Sequence, residues 1–183
     1  EVLVRLARQS AAPDGTALRP TTSARPRRVR AGQKLKVLLG PVHALVDKSD
    51  FRMDLWVGKP AQPGSVYLRS FKVGLGSDDS TPTGEWLCTP GEKLVNPQWT
   101  NPREPGVVIA GGDPKNPLGT RWIALQGVSG NAVGQQSYGI HGTIEPETIG
   151  TMASMGCIRL LNDEVELLYD ILKDGKSTVT IVP

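Results

Sequence analysis

Apolar positions alternate with polar ones through most of this chain, and only one stretch after residue 40 keeps a helical period. In HALVDKSDFRMDLWV, Phe51, Met53, Leu55 and Val57 alternate, which predicts two short strands around a Lys-Ser-Asp turn. VYLRSFKVGLG alternates again and ends on glycines. SDDSTPTGEWLCTPGEK reads as a loop, a strand over 85–88 and a Pro-Gly turn, with Trp86 and Cys88 on one face. NPQWTNPREPG is irregular, and VVIAGGDPKNPLG is a short apolar piece running into a loop. RWIALQG and SYGIHG predict strands, TIEPETIGTM a connector, and STVTIVP a closing strand. The pattern is mainly β with one prominent helix, without internal repeats.

That helix is predicted over 162–173. Asn162 is the expected N-cap, Asp163 and Glu164 meet the positive end of the dipole, and Gly175 is the expected C-cap. Val165, Leu168, Ile171 and Leu172 fall on one face. Cys157 therefore stands on a loop just before a helix start.

The first forty residues differ from the rest. VLVRLARQ has helical spacing, SAAPDGTALRPTTSARPRR has no periodicity, and RVRAGQKLKVLLGP predicts a basic strand. We divide the chain into a basic segment over 1–40 and a main domain over 41–183. The 183 residues carry a net charge of +3. Residues 1–36 hold nine Lys and Arg against Glu1 and Asp14, a net of +7, which leaves the remainder at −4. Such a lead segment suits either contact with an anionic polymer or a solvated arm. No nucleic-acid-binding motif is present, and no apolar run is long enough to span a membrane. The chain opens on Glu1 rather than Met, which we read as an upstream part removed.

Two cysteines, Cys88 and Cys157, and two histidines, His43 and His141, carry the candidate chemistry. No ligand spacing points to zinc. Cys88 reads as packing and His43 as an ordinary satisfied histidine. From its own surroundings Cys157 reads as a packing residue, half of a disulfide or a nucleophile. A thiol nucleophile needs a base or a cation nearby. His141 lies sixteen residues upstream and Arg159 two downstream. Gly142 and Gly156 remove side chains where a substrate backbone could approach. Amides around Gly156 and Cys157 are candidate oxyanion donors, and Arg159 is a candidate carboxylate clamp.

The stretch IHGTIEPETIGTMASMGCIRLLNDEVELLYDIL resembles the signature of YkuD-type L,D-transpeptidases: His-Gly, a connector, Gly-Cys-Ile-Arg, an Asn and a helix. TPTGEW, NPLGTRWIAL and VDKSDFRMDLWV resemble further parts of that family, over about residues 41–183. AGQKLKV with the preceding helix is similar to a LysM glycan-binding module whose opening strand is absent, so no binding residues carry over. The resemblance implies a mixed β-sandwich, an extracytoplasmic location at the cell envelope, no cofactor and no metal. It implies that Cys157 attacks a peptidoglycan stem tetrapeptide with His141 as base and the Gly142 carbonyl orienting the ring. A thioester forms, and an amine of a second stem peptide resolves it into a 3→3 cross-link. Tyr138, Ser154, Gly156 and Arg159 are the implied substrate or oxyanion residues. Water as acceptor would make a carboxypeptidase, and some relatives attach lipoproteins to the wall. The family often has His where this chain has Met155, which removes a second imidazole. Two non-enzymatic readings stand beside this one: a wall-binding sandwich that lost activity at Met155, and a structural sandwich with an accidental Cys/His pair.

Overall fold

A computed structural model describes residues 40–183. The basic segment, with the helix and LysM-like strand expected from its sequence, lies outside the described residues.

The first hairpin forms where alternation predicts it. Strands β1 (Val42–Asp47) and β2 (Arg52–Val57) pair antiparallel around Lys48–Phe51, and β3 (Val66–Lys72) adds to β2. The inward set Val42, Ala44, Val46, Met53 and Leu55 is fully buried, so alternation here marks a half-buried sheet. Strand β4 (Leu75–Gly76) follows, then a single 3-10 turn over Ser77–Asp79, and β5 (Gly84–Val95).

The strand predicted over 85–88 does not end at the Pro-Gly pair. Pro90 and Gly91 sit in a bulge, where the step from Cys88 to Lys93 opposes only that from Leu125 to Ile123 on β8 (Arg121–Gly127). Proline lacks a ladder donor and glycine takes φ 75° here, so the pair interrupts pairing without reversing the chain. Trp86 and Cys88 share a face and are both wholly buried. The irregular segment holds a two-strand ribbon, β6 (Trp99–Thr100) on β7 (Val108–Ile109), whose strands are too short to show a period.

Strand β9 (Tyr138–His141) pairs antiparallel with β8. The connector after it contains β10 (Met152–Ser154), which pairs in parallel with β4. Then come β11 (Ile158–Arg159), helix α1 (Asn162–Ile171) and β12 (Thr178–Val182). The main sheet is mixed and curled, in the order β11-β9-β8-β5-β12-β1-β2-β3.

Helix α1 buries Val165, Leu167, Leu168 and Ile171, with Leu172 just beyond, against the sheet. Its ends differ from expectation. Leu161 is the N-cap residue, in extended conformation, and Asn162 is the first helical residue. The Asn162 side chain points away from the helix end: Oδ1 accepts from the amides of Thr120 (3.3 Å) and Thr143 (3.2 Å), and Nδ2 donates to the Thr143 carbonyl (3.0 Å). At the other end Leu172 caps, so the helix stops at Ile171, and Gly175 instead forms the turn into β12, donating to the Cys88 carbonyl at 2.8 Å. Long-range bonds outweigh local capping at both ends.

Candidate active site

Strand pairing brings His141 and Cys157 together. β11 lies parallel to β9 with Arg159 opposite His141, and Cys157 immediately precedes β11. The sixteen-residue gap is closed by the connector, pinned by β10 on β4. On the other side of β9, Trp122 of β8 lies opposite His141 and stacks on its ring at 5.9 Å between centroids and 23°. Both candidate residues line one cleft of about 1270 Å³, with Trp99, Trp122, Tyr138, Met155 and Arg159 in its walls. A cleft larger than the few hundred to about 1,000 Å³ typical of small-ligand pockets suits an extended peptide.

The His141 ring is buried, and its Nδ1 lies 2.6 Å from the Gly142 carbonyl. A carbonyl only accepts, so Nδ1 carries the proton and Nε2 is left as the basic nitrogen. Burial lowers the imidazole pKa to about 4; the Gly142 carbonyl raises it and the Arg159 cation lowers it further. Cys157 is half-buried and free. Desolvation raises its thiol to about 11, against the smaller downward pulls of the Gly139 amide and Arg159. The resting pair is thus a neutral thiol and a neutral imidazole, not a preformed ion pair. The thiol donates to the Ser137 carbonyl at 3.7 Å. Ser137 holds φ 63°, a left-handed strain that non-glycine residues rarely keep without cause.

Gly142 is buried, and a Cβ there would overlap the Asn162 side-chain oxygen. Gly156 takes φ 121°, and a Cβ on it would lie 2.6 Å from the Tyr138 ring. Its role is one of close approach. Its amide is not a free oxyanion donor, because it donates to Ser154 Oγ at 3.1 Å. Ser154 is 2% exposed and also donates to the Cys157 carbonyl at 2.6 Å, so its hydroxyl proton is committed inside the loop. The Cys157 amide has no hydrogen-bond partner among the described residues and remains as the loop's donor.

Tyr138 packs on Trp86 at 5.1 Å and donates its hydroxyl to the Ser80 carbonyl at 3.3 Å, leaving its ring as cleft wall. Arg159 pairs with Glu145 (3.4 Å) and donates to Thr148 (3.3 Å), while its Nε is buried without a partner. Cys88 is wholly buried, with a thiol raised by desolvation to about 12. His43 is buried and satisfied by Thr178, whose amide donates to Nδ1 at 3.1 Å, and it has no place in the cleft.

Three contributors escaped the sequence reading. Gly139 lets Trp122 cross β9, since a Cβ there would stand 2.7 Å from the indole. Ser137 offers its carbonyl, and Thr81 bonds the cysteine loop from beneath, donating to the Gly156 carbonyl at 2.9 Å. Gly139 stands two residues ahead of His141, and its place against Trp122 depends on the pairing of β8 with β9.

Residues 41–181 match the family model of the YkuD L,D-transpeptidase catalytic domain. The chain belongs to this family. The YqjB protein of Bacillus subtilis (strain 168), whose name assigns it to the L,D-transpeptidases, is 41% identical over 99 residues, 54% of this chain and 51% of that protein. YkuD of the same organism is 33% identical over 115 residues, covering 62% and 53%. ErfK/SrfK of Escherichia coli (strain K12), named likewise, is 32% identical over 125 residues, covering 62% and 37%. The chain spans about half the length, or less, of these relatives. The fold is shared with the catalytic domain of an E. faecium L,D-transpeptidase acylated by ertapenem (TM-score 0.53, 17% identity, 79% of this chain and 98% of that one). It is shared also with L,D-transpeptidase 3 from Mycobacterium tuberculosis (TM-score 0.53, 13% identity, 78% and 61%). The mainly β, mixed architecture of this YkuD-family domain is therefore that of L,D-transpeptidase catalytic domains. Met155 stands at the cleft rim and is 47% exposed.

Proposed function

We propose that this protein is a peptidoglycan L,D-transpeptidase working through a cysteinyl thioester on Cys157. The supporting observation is the tautomer of His141: with Nδ1–H committed to the Gly142 carbonyl, Nε2 is a base inside the cleft that also holds the Cys157 thiol. Substrate entry displaces water, Cys157 Sγ attacks the amide carbonyl of the third stem residue, and His141 Nε2 takes the thiol proton. The Cys157 amide donates a hydrogen bond to the developing oxyanion. Collapse expels the terminal D-alanine, whose nitrogen takes the proton from His141. A side-chain amine of a second stem peptide then attacks the thioester carbonyl and loses a proton to His141; the C–S bond breaks, an amide cross-link of the 3→3 kind is left, and the Cys157 thiolate takes the proton back from His141. Arg159, with its unpartnered Nε, is the candidate group for a stem-peptide carboxylate.

The reading places the domain outside the cytoplasm, at the cell envelope where stem peptides occur. Among the described residues no helix is long and apolar enough to cross a membrane. The basic segment over 1–40 is the candidate contact with glycan or anionic wall polymer, and 41–183 the catalytic domain.

The test is intact mass after incubation with a tetrapeptide stem, with and without an amine acceptor. An acyl adduct on Cys157 that the amine converts to the tripeptide amide supports transpeptidation. Release by water alone, amine present or not, makes the protein an L,D-carboxypeptidase. Absence of any adduct, matching Cys157→Ser, leaves a non-catalytic wall-binding module.

A further inference from the structure

We propose that Thr81 is a positioning residue for the oxyanion donor, acting through the peptide group that joins Gly156 to Cys157. The inference rests on the reading of Cys157 as the acylated nucleophile.

Thr81 is 1% exposed, and its hydroxyl has two partners. It accepts from the Gly76 amide at 2.8 Å and lies 2.9 Å from the Gly156 carbonyl. An amide can only donate and a carbonyl only accept, so the hydroxyl proton goes to Gly156. The Gly156–Cys157 peptide is trans, as are all the described peptides. In a trans peptide the C=O and the next N–H point in opposite directions from one rigid plane. Holding the Gly156 carbonyl on Thr81 therefore aims the Cys157 N–H the other way, and that amide is the one left without a partner among the described residues.

Something outside the loop has to fix this plane. Gly156 adopts φ 121°, where only glycine is at ease, and glycine resists rotation less than any other residue. Ser154 holds the flanking groups, the Gly156 amide and the Cys157 carbonyl, but neither belongs to the 156–157 peptide. Thr81 is the group that does. A carbonyl accepting a hydrogen bond also polarises its peptide, so the Cys157 amide becomes the better donor.

Thr81 itself is anchored. Lys48, 6% exposed at the end of β1, donates from Nζ to the Thr81 carbonyl at 2.7 Å and pairs with Asp79 at 2.5 Å. Gly76 packs so closely on Gly156 that a Cβ would stand 2.7 Å from the Gly156 Cα. The cysteine loop thus rests on β4 and the 77–83 loop, and these rest on the sheet.

The experiment separates acylation from simple thiol reactivity. A carbapenem acylates through a tetrahedral oxyanion, whereas iodoacetamide alkylates the thiol with none. Both rates are read at Cys157 by mass spectrometry in wild type, Thr81→Val and Thr81→Ser. Thr81→Val is expected to slow acylation about 10-fold while alkylation stays within about twofold, with Thr81→Ser near wild type. Thr81→Ala gives the same comparison if the valine variant does not fold. Equal acylation in wild type and Thr81→Val overturns the inference. So does a parallel fall in both reactions, which marks a merely structural role, or a serine variant as slow as valine. A wild-type protein that takes no adduct at Cys157 overturns the proposed function, and the Thr81 inference with it.

Discussion

The Asn162 side-chain oxygen fills the space that a side chain on Gly142 would need, and so seats the first turn of α1 directly on the residue after the histidine. The same oxygen accepts from the amides of Thr120 and Thr143. The helix that follows the cysteine therefore holds the backbone carbonyl that orients His141.

Gly142→Ala is expected to push Asn162 out of these bonds. The loss should approximate that of Asn162→Ala, about 2 kcal/mol for several partly buried hydrogen bonds. Calorimetry should show both melting about 5 °C lower, with poorer Cys157 acylation because the Gly142 carbonyl shifts. A Gly142→Ala protein as stable as wild type would remove the packing argument.

His141 titrates near 4 in the folded protein because it is buried, and at its ordinary 6.5 when unfolded. Between these values the unfolded chain binds the extra proton, so the stability of the neutral buried ring is complete above pH 6.5 and falls as pH drops toward 4. The total is on the order of 3 kcal/mol. Urea unfolding across this range should show a steeper acid loss in wild type than in His141→Gln. Parallel curves would mean that the ring is not held neutral.

Burial sets His141 low and Cys157 high; Arg159 lowers His141 further and partly offsets the rise at Cys157. In Arg159→Gln both groups should titrate higher: the imidazole above about 4, seen by NMR, and the thiol above about 11, seen in the pH profile of alkylation. Movement of either in the downward direction contradicts the assigned charge.

Met155 sits exposed at the rim, at the position where the family resemblance leads one to expect His. Because His141 already has its tautomer fixed by Gly142, Met155→His is expected to change carbapenem acylation by less than about threefold, far below the 100-fold typical of a new general acid–base group. A gain of that larger size would show the natural site to be impaired.

Cys88 is wholly buried with its thiol near 12, while Cys157 faces the cleft. Iodoacetamide should label Cys157 in the native protein and Cys88 only after denaturation. Native labelling of Cys88 would contradict its burial.

Much of this protein is legible from residue order. Alternation predicts β1, β2, β8 and β9, since a strand with one wet face repeats every two residues. The apolar stripe of α1 predicts the helix for the corresponding reason at period 3.6. His141, Cys157 and their glycines stand out because the chemistry needs those residue types, and the family signature binds them together. Tertiary structure decided the rest. Asn162 looks like a cap, yet it bonds a distant loop. Pro90 and Gly91 look like a reversal, yet β8 pairs on both sides of them. Ser154 and Gly156 read from sequence as separate candidates, and the folded loop bonds them to each other. Thr81 stands in the TPTGEW stretch and Gly139 and Ser137 beside His141, yet nothing local assigns any of them a contact with the cysteine loop. Local periodicity reports which face of an element is buried. A hydrogen bond from Thr81 to Gly156 joins groups seventy-five residues apart, and only the folded sheet brings donor and acceptor within reach.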